Sequence, residues 1–551
     1  MSIWSSIANK VKEIIRNMIG AKTIEQSLNI APLISSAMEQ AIQEWSDMYK
    51  NQAPWLHEPT YNDPTRVVSL GLPSMIASEK ARMVLLEFKS EITTPTKDVE
   101  QDNPNYSDPE PDEFGNIIPT AEPKVIIVKQ PVGDTTRAEY LNKQYEKLKE
   151  KLRIQLEYGI AKGGLVIKPY VVTKSIEADG NKESEQPTIE FDCIQADNFY
   201  PMNFDNSGNI TEAAFIQTIQ NKSVVYHRLE YHKFSNGTIT IENRAYKSTN
   251  VQQEKSGVDL GTEIPLTEVE QWKDLQRTTT IKNVSRPLFV YFKMPEANTI
   301  DMTSPLGVSG YSRAKGLIKD ADIQYSRLLW EYEAGEMAID IDRDALQFYE
   351  NVDGKGNGTS MLTQLQKRLY RKIDLGESDT MVTHAPTLRD ASYIQGLNTI
   401  LMRIEDACFL SRGSLADATQ EARTATEIKI LKQKVFTANA EIQHALEIAL
   451  KDVIYVMNAY CDLYEITPDG EYDTSFEWDD SILVDVDSEL NTRLSLMQQG
   501  LASKKETRMW YFGETEQQAE EALKQVEKEN AQSAENDLIM QLNMDRGKEE
   551  L

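Results

Sequence analysis

The sequence predicts an α+β, helix-rich fold. Three observations lead there. Two helix patterns, about 313–336 and 390–411, bracket a small β-containing insert. A glycine-marked polar loop follows, and then an unusually long amphipathic helix reaching about Leu463. Upstream, residues 165–296 carry mostly β signals, separated by polar turns. At 551 residues several subdomains are expected.

The N-terminal segment Ile3–Ile19 is amphipathic, interrupted by Lys10, Lys12, Glu13 and Arg16. No apolar run approaches the ~20 residues a membrane span needs, and no signal-peptide core is visible. The segment is expected to dock on the protein's own body or on a neighbour. Helices are expected at about 2–19, 32–50 and 74–90. Residues 95–123, with Pro104, Pro109, Pro111 and Pro119 among many Asp, Asn and Glu, read as an exposed loop. A mixed-charge helix at about 136–161 leads through Gly163-Gly164 into a strand at Leu165–Ile167. Further strands are expected at Ile189–Phe191, Ala213–Ile219, Val224–Phe234, Thr238–Tyr246 and Leu288–Phe292. Turns fall at Asp205-Asn-Ser-Gly208 and Ser235-Asn-Gly237.

In the first helix of the bracketing pair, Ala314, Leu317, Ile318, Ala321, Tyr325, Leu328, Leu329 and Tyr332 share one face. In the second, Asp390 is the expected N-cap, and Ile394, Leu397, Leu401, Ile404 and Cys408 form the stripe. On periodicity alone these are two antiparallel core helices of a bundle. The insert between them, about 337–389, holds strand signals at Met337–Ile341 and Thr380–His384 and a turn cluster at Gly354–Gly358. It also carries a basic run, Lys367, Arg368, Arg371 and Lys372. The turn cluster is no phosphate loop, because Thr359 follows Gly358 directly where a Lys is required.

The loop Ser411–Arg423 is small and polar, and Gly413, Ser414, Ala416 and Ala418 have little side chain to pack. Local opening there is expected to be easy. Thr424 and Glu427 fit a capping box opening the long helix, which at about 1.5 Å per residue is roughly 60 Å long. After it, Ser475–Asp487 reads as a strand dense in carboxylates. A calcium loop is disfavoured there, since the glycine at loop position six is missing. The tail, about 488–530, is expected to be helical.

Net charge is −28, from 59 basic and 87 acidic residues. A protein that coats DNA would be basic, because neutralising phosphates drives that binding. Cys193, Cys408 and Cys461 are odd in number and widely spaced, so they are expected as reduced, buried thiols. No phosphate loop, His/Cys ligand set or nucleophile elbow occurs, so no cofactor, metal or catalytic residue is expected. Two classes stay open: a nucleic-acid-processing enzyme, and a non-enzymatic assembly protein.

Residues about 300–530 resemble the portal proteins of tailed bacteriophages, especially those infecting Gram-positive bacteria. The resemblance rests on Pro305-Leu-Gly-Val-Ser309, the helix–insert–helix–loop–long-helix order, Phe476-Glu-Trp-Asp479, and Gly500-Leu-Ala-Ser-Lys-Lys-Glu-Thr507. Ala161-Lys-Gly-Gly164 and Phe199-Tyr-Pro201, with Asp205 and Gly208, extend it upstream. The first 160 residues match only loosely.

The resemblance implies a ring, usually of twelve subunits, at one capsid vertex of the virion, assembled in the host cytoplasm. It implies a wing at 1–305, stem helices at 306–336 and 390–411, and a small α/β clip at 337–389. A tunnel loop at 412–424, a long helix with wing closure at 425–488 and a helical crown and tail at 489–551 complete it. DNA would pass the channel during packaging and ejection, touching Arg412, Gly413, Ser414, Ala416, Ala418, Gln420 and Arg423 only transiently. Lys367, Arg368, Arg371 and Lys372 would meet the terminase motor, and later head-completion or tail-connector proteins. Major capsid or scaffold proteins would be further partners, with no membrane and no enzymatic activity; ATP hydrolysis belongs to the terminase.

Overall fold

The apolar repeat that sets each helix also decides which face it buries. The computed structural model describes residues 23–59, 65–86, 88–102, 125–178, 182–221, 224–248, 260–342, 370–373, 381–417, 425–478, 486–514, 518–520 and 522–526. The chain forms two compact units, Met1–Trp478 and Asp479–Leu551.

The first unit opens with α1 (Ile24–Leu28), α2 (Ser36–Tyr49) and α3 (Leu72–Val84). The Ser35 hydroxyl accepts from Met38 N and fixes the start of α2. Strands β1 (Phe88–Thr93), β2 (Thr96–Asp102) and β3 (Val125–Pro131) follow, with β2 and β3 antiparallel. Helix α4 (Thr136–Lys162) buries Leu141, Tyr145, Leu148, Leu152 and Leu156 at steps of three and four.

A long antiparallel pair, β4 (Gly164–Ala178) and β5 (Lys182–Gln195), comes next. Strands β6 (Phe199–Phe204), β7 (Ile210–Asn221), β8 (Val224–Ser235), β9 (Thr238–Ser248), β10 (Thr262–Ile264) and β11 (Thr278–Lys282) form a second sheet. It is an antiparallel meander in the order β10-β9-β8-β7-β6, with β11 also on β9. Strand β12 (Val290–Lys293) returns to pair with β4.

Helix α5 (Lys315–Ala334), the insert strands β13 (Ala338–Asp342), β14 (Tyr370–Ile373) and β15 (Met381–His384), and α6 (Asp390–Ala407) make the bracketed motif. The insert sheet is ordered β14-β13-β15, parallel on the first side and antiparallel on the second. Helix α7 (Ala425–Leu463) spans 39 residues, and β16 (Asp473–Trp478) closes back on β1. Trp478 stacks on Phe88 with ring centroids 4.3 Å apart. One core joins these parts through Trp45, Tyr145, Phe292, Tyr311, Val453 and Met457, all buried. Buried Arg137 ties the start of α4 to the end of α7. It donates to Asn458 Oδ1 at 2.7 Å, Asp462 Oδ1 at 2.6 Å and the carbonyls of Thr467 and Pro468.

The second unit contains α8 (Val486–Gln498) and α9 (Lys504–Phe512). Ser503 and Glu506 cap α9 reciprocally, which gives the Gly500–Thr507 motif its local meaning.

Several expectations need correction. The helix expected at 74–90 ends at Val84, and Phe88–Thr93 is a strand on β16. Residues 96–102, read as loop, are strand β2, paired with β3 from Thr96 opposite Pro131 to Asp102 opposite Val125. Asp390 is the first residue of α6 and not its N-cap. Arg389 occupies that place with no side-chain cap. The same helix stops at Ala407, not 411. Helix 2–19 and the capping residue Thr424 lie outside the described residues, as do Asp479, Asp480 and Asp485.

Candidate functional site

Helices α5 and α6 run antiparallel. Glu331 meets Arg389 at one end, Gln324 faces Gly396 midway, and Arg313 lies against Phe409 at the other. Ile318, Ala321 and Leu328 of α5 and Leu401 and Ile404 of α6 are buried. Lys319, Asp320, Arg327 and Glu333 face solvent.

The approach to α5 joins two of the sequence motifs. Gly163 O accepts from Met294 N, and Ile160 O accepts from Gly310 N. A Cβ on Gly307 would lie 2.1 Å from Gly163 O. Gly163 itself has φ +87, the left-handed region that favours glycine. So Ala161-Lys-Gly-Gly164 and Pro305-Leu-Gly-Val-Ser309 touch backbone to backbone. The Phe199-Tyr-Pro201 motif stands beside them: Phe199 stacks on Tyr291, whose hydroxyl accepts from Gly307 N at 3.1 Å.

Midway along α5, Asp322 is buried. It accepts from Trp55 Nε1 at 2.9 Å and Leu70 N at 2.8 Å, and Ser326 Oγ accepts from Val68 N at 3.0 Å. Burial raises the Asp322 pKa against the lowering effect of those bonds. The residues before α3 are thereby strapped across α5.

At the insert end, the Arg389 guanidinium donates to both oxygens of Glu331, at 3.1 and 2.8 Å, and Arg389 N donates to the same carboxylate. Strand β15 is exposed along its whole length. Of the expected partner contacts, Arg371 and Lys372 lie on β14, opposite Asp340 and Ile341 of β13. Lys367 and Arg368 lie outside the described residues.

At the loop end, Phe409 has φ +55, and Leu410 N reaches back to Glu405 O, closing the helix. The Phe409 ring lies between the Arg313 guanidinium, 5.8 Å away, and the Lys434 ammonium of α7, 5.3 Å away. Glu405 Oε1 accepts from Gly413 N, Leu415 N and Ala416 N at 3.1, 2.8 and 3.0 Å. Arg412 donates to Met402 O and Asp406 Oδ2, both at 2.5 Å, and lies 3.6 Å from Glu405 Oε2. Asn398 Nδ2 donates to Asp417.

The loop residues expected at DNA thus divide. Gly413 is exposed, Ser414 and Arg412 are half-buried, and Ala416 packs into the core. Ala418, Gln420 and Arg423 lie outside the described residues. Easy opening, argued from the small side chains, does not describe 413–416, because Glu405 gathers their N–H groups. Sequence reasoning missed Glu405. A signal existed: Glu405 and Asp406 occupy the last turn of a helix, where the dipole disfavours acids, so a carboxylate there needs another occupation.

Several other buried charges have ion partners: Lys80 meets Glu296, Lys162 meets Asp197 and Lys168 meets Glu230. Burial opposes ionisation of Glu230, yet Lys168, His232 and Arg228 around it hold it well below the usual carboxylate range. Burial lowers the His232 pKa against the pull of Glu230. The three cysteines are free, and burial pushes the thiols up, to about 12 for Cys193 and Cys408 and about 11 for Cys461. Among the described residues no group of His, Cys, Asp and Glu is placed to hold a metal ion. No described helix is long and apolar enough to cross a membrane.

No curated protein matches the chain significantly. A family model described as phage portal protein, SPP1 Gp6-like, matches residues 37–536. That range spans the motifs the fold brings together at 161–164, 199–201 and 305–309, and the paired helices beyond them. The motifs in their order, their meeting in space and the length of the match agree: the chain belongs to the phage portal protein family, SPP1 Gp6-like.

Proposed function

We propose that this chain is the subunit of a ring of about twelve copies forming the DNA channel at one capsid vertex. It serves genome packaging, head–tail joining and DNA ejection, and takes part in no chemistry of its own. The helix pair is the stem and the insert is the clip. The loop after α6 faces the channel, with Gly413 and Ser414 among its contacts and Ala418, Gln420 and Arg423 continuing it. The clip, with Lys367, Arg368, Arg371 and Lys372, meets the terminase motor and later the connector proteins. Capsid or scaffold proteins hold the ring in the virion, after assembly in the host cytoplasm.

One observation carries the reading. The far part of the helix pair and its insert leave large apolar side chains in water: Trp330 is 61% exposed and Met381 61%. Met337 and Leu388 add to them. Apolar side chains this exposed are expected to be covered by neighbours, and heterologous contacts that close produce a ring. The acid excess supports it as well, since a channel that bound phosphates strongly would stall the DNA.

Imaging of the purified full chain, with native mass spectrometry beside it, tests the proposal. Rings with a central hole are expected. Only monomers and dimers at micromolar concentration would sink the ring, and an inert particle without a hole would favour a minor head or baseplate subunit. For the clip, reversing the charges of Lys367, Arg368, Arg371 and Lys372 together is expected to reduce packaging while rings still form. Normal packaging would make that run ordinary surface charge.

A further inference from the structure

We infer that Glu405 is the positioning residue of segment 411–417, and that Arg412 serves that bracket and not the phosphates of DNA. The inference rests on the reading of this loop as channel-facing. Its physical basis is local.

Glu405 is 0% exposed. Its Oε1 collects three backbone N–H groups from Gly413, Leu415 and Ala416. Three convergent donors on one oxygen form an anion nest built from the loop itself. Among the described residues its Oε2 has no hydrogen-bond partner, and the Arg412 guanidinium lies 3.6 Å from it. A buried carboxylate needs such a charge beside it. Arg412 is itself engaged, donating to the Met402 carbonyl and to Asp406. Swinging it towards a phosphate would break both bonds and strip Glu405 of its counter-ion. Asp417 is tied to Asn398 of α6, and Ala416 sits in the core. What the described loop presents outward is Gly413 and Asp417, one without a side chain and one acidic. Neither grips a phosphate backbone. The bracket therefore sets both where this segment stands and how weakly it touches DNA.

Hydrogen exchange on the assembled full chain tests this, with Glu405→Gln, Glu405→Ala, Arg412→Gln and the Glu405→Gln/Arg412→Gln double variant. Losing a charge-assisted anchor is expected to speed exchange at Gly413, Leu415 and Ala416 about tenfold or more, while α4 and α5 keep their protection. The double variant is expected to add little to the larger single effect, since both residues act through one bracket. Unchanged exchange at those amides in Glu405→Gln and Glu405→Ala would overturn the inference. So would uniform loss of protection across the chain in the conservative Gln variant, which marks a merely structural role. A cross-linking probe at Ser414 in filled particles separates the two readings. If Arg412→Gln lowers DNA capture there without raising exchange, Arg412 is a DNA contact and its assignment here falls. If exchange rises as expected but no probe in 411–417 captures DNA, the bracket stands and the channel-facing reading of the loop falls.

Discussion

The two ends of α6 are held in opposite ways. At the loop end Ile404, Glu405 and Cys408 are fully buried, and the helix stop is clamped by Arg313, in the turn just before α5, and Lys434 of α7. At the insert end the Arg389 side chain is 66% exposed, although the Glu331 side chain it binds is only 8% exposed. There β15 has no covered face. The difference separates an end that burial closes within the chain from one where large apolar side chains stay exposed. Burial fixes the loop end within one chain. Near the insert, the Arg389–Glu331 ion pair joins the two helices, and Trp330, Met337 and Met381 remain exposed.

The sharpest way to break this contrast is Ile404→Ala. Removing a fully buried side chain is expected to cost about 2–5 kcal/mol, read by chemical denaturation. A cost below about 1 kcal/mol would place the loop end on the same footing as the insert end.

The ion pair between Arg389 and Glu331 gives a smaller and pH-dependent effect. The side-chain hydrogen bonds from Arg389 hold the Glu331 carboxyl below its ordinary value, against the opposing effect of burial. A depressed folded pKa contributes stability that is fully present above the unfolded glutamate value of about 4.3 and is lost as pH falls through the folded value. A double-mutant cycle with Arg389→Met and Glu331→Gln is therefore expected to show coupling at neutral pH that declines as the pH falls below the unfolded value of about 4.3. Coupling that survived at acid pH would mean that packing, not charge, joins the helices there.

The smallest effect is expected from Gly335→Ala. Its Cβ would meet Leu388 Cδ2 at 2.1 Å, on an exposed side chain that can turn away, and the backbone oxygen of Glu331 at 2.9 Å, which must give by a few tenths of an ångström. Thermal melting is expected to shift by no more than about 2 °C. A shift as large as that of Ile404→Ala would show the insert end to be as tightly packed as the other.

Much of this frame was legible in the sequence. Helix α7 runs from Ala425 to Leu463, the span its unbroken apolar period announces. The hairpin turn at Asn236-Gly237 sits between β8 and β9, where the dipeptide places it. What stayed hidden is non-local. Phe88–Thr93 becomes a strand because Asp473–Trp478 lies beside it, nearly four hundred positions later, and no local window contains both. Strand β2 is polar and is a strand through its pairing with β3, which no periodicity of its own announces. The boundaries of α6 are set by Arg389 engaging Glu331 across the helix pair and by Glu405 accepting from a loop not yet made. The small residues Gly413, Ser414 and Ala416 do fall in a loop after α6, as their composition indicates. Their anchoring depended on a carboxylate whose partners only the fold supplies.

The contact of Gly163 with Gly307 has a mechanical consequence. Most packed joints deform through side-chain torsions, which are soft and turn at little energy. Here backbone rests on backbone, and a Cβ on either glycine would lie under 3 Å from the other's backbone. No rotamer can absorb a push. Load arriving along α5 therefore passes into the ladder of β12 and β4 and the last turn of α4, where only hydrogen bonds and peptide planes can yield. The joint behaves as a rivet in a part that elsewhere has springs.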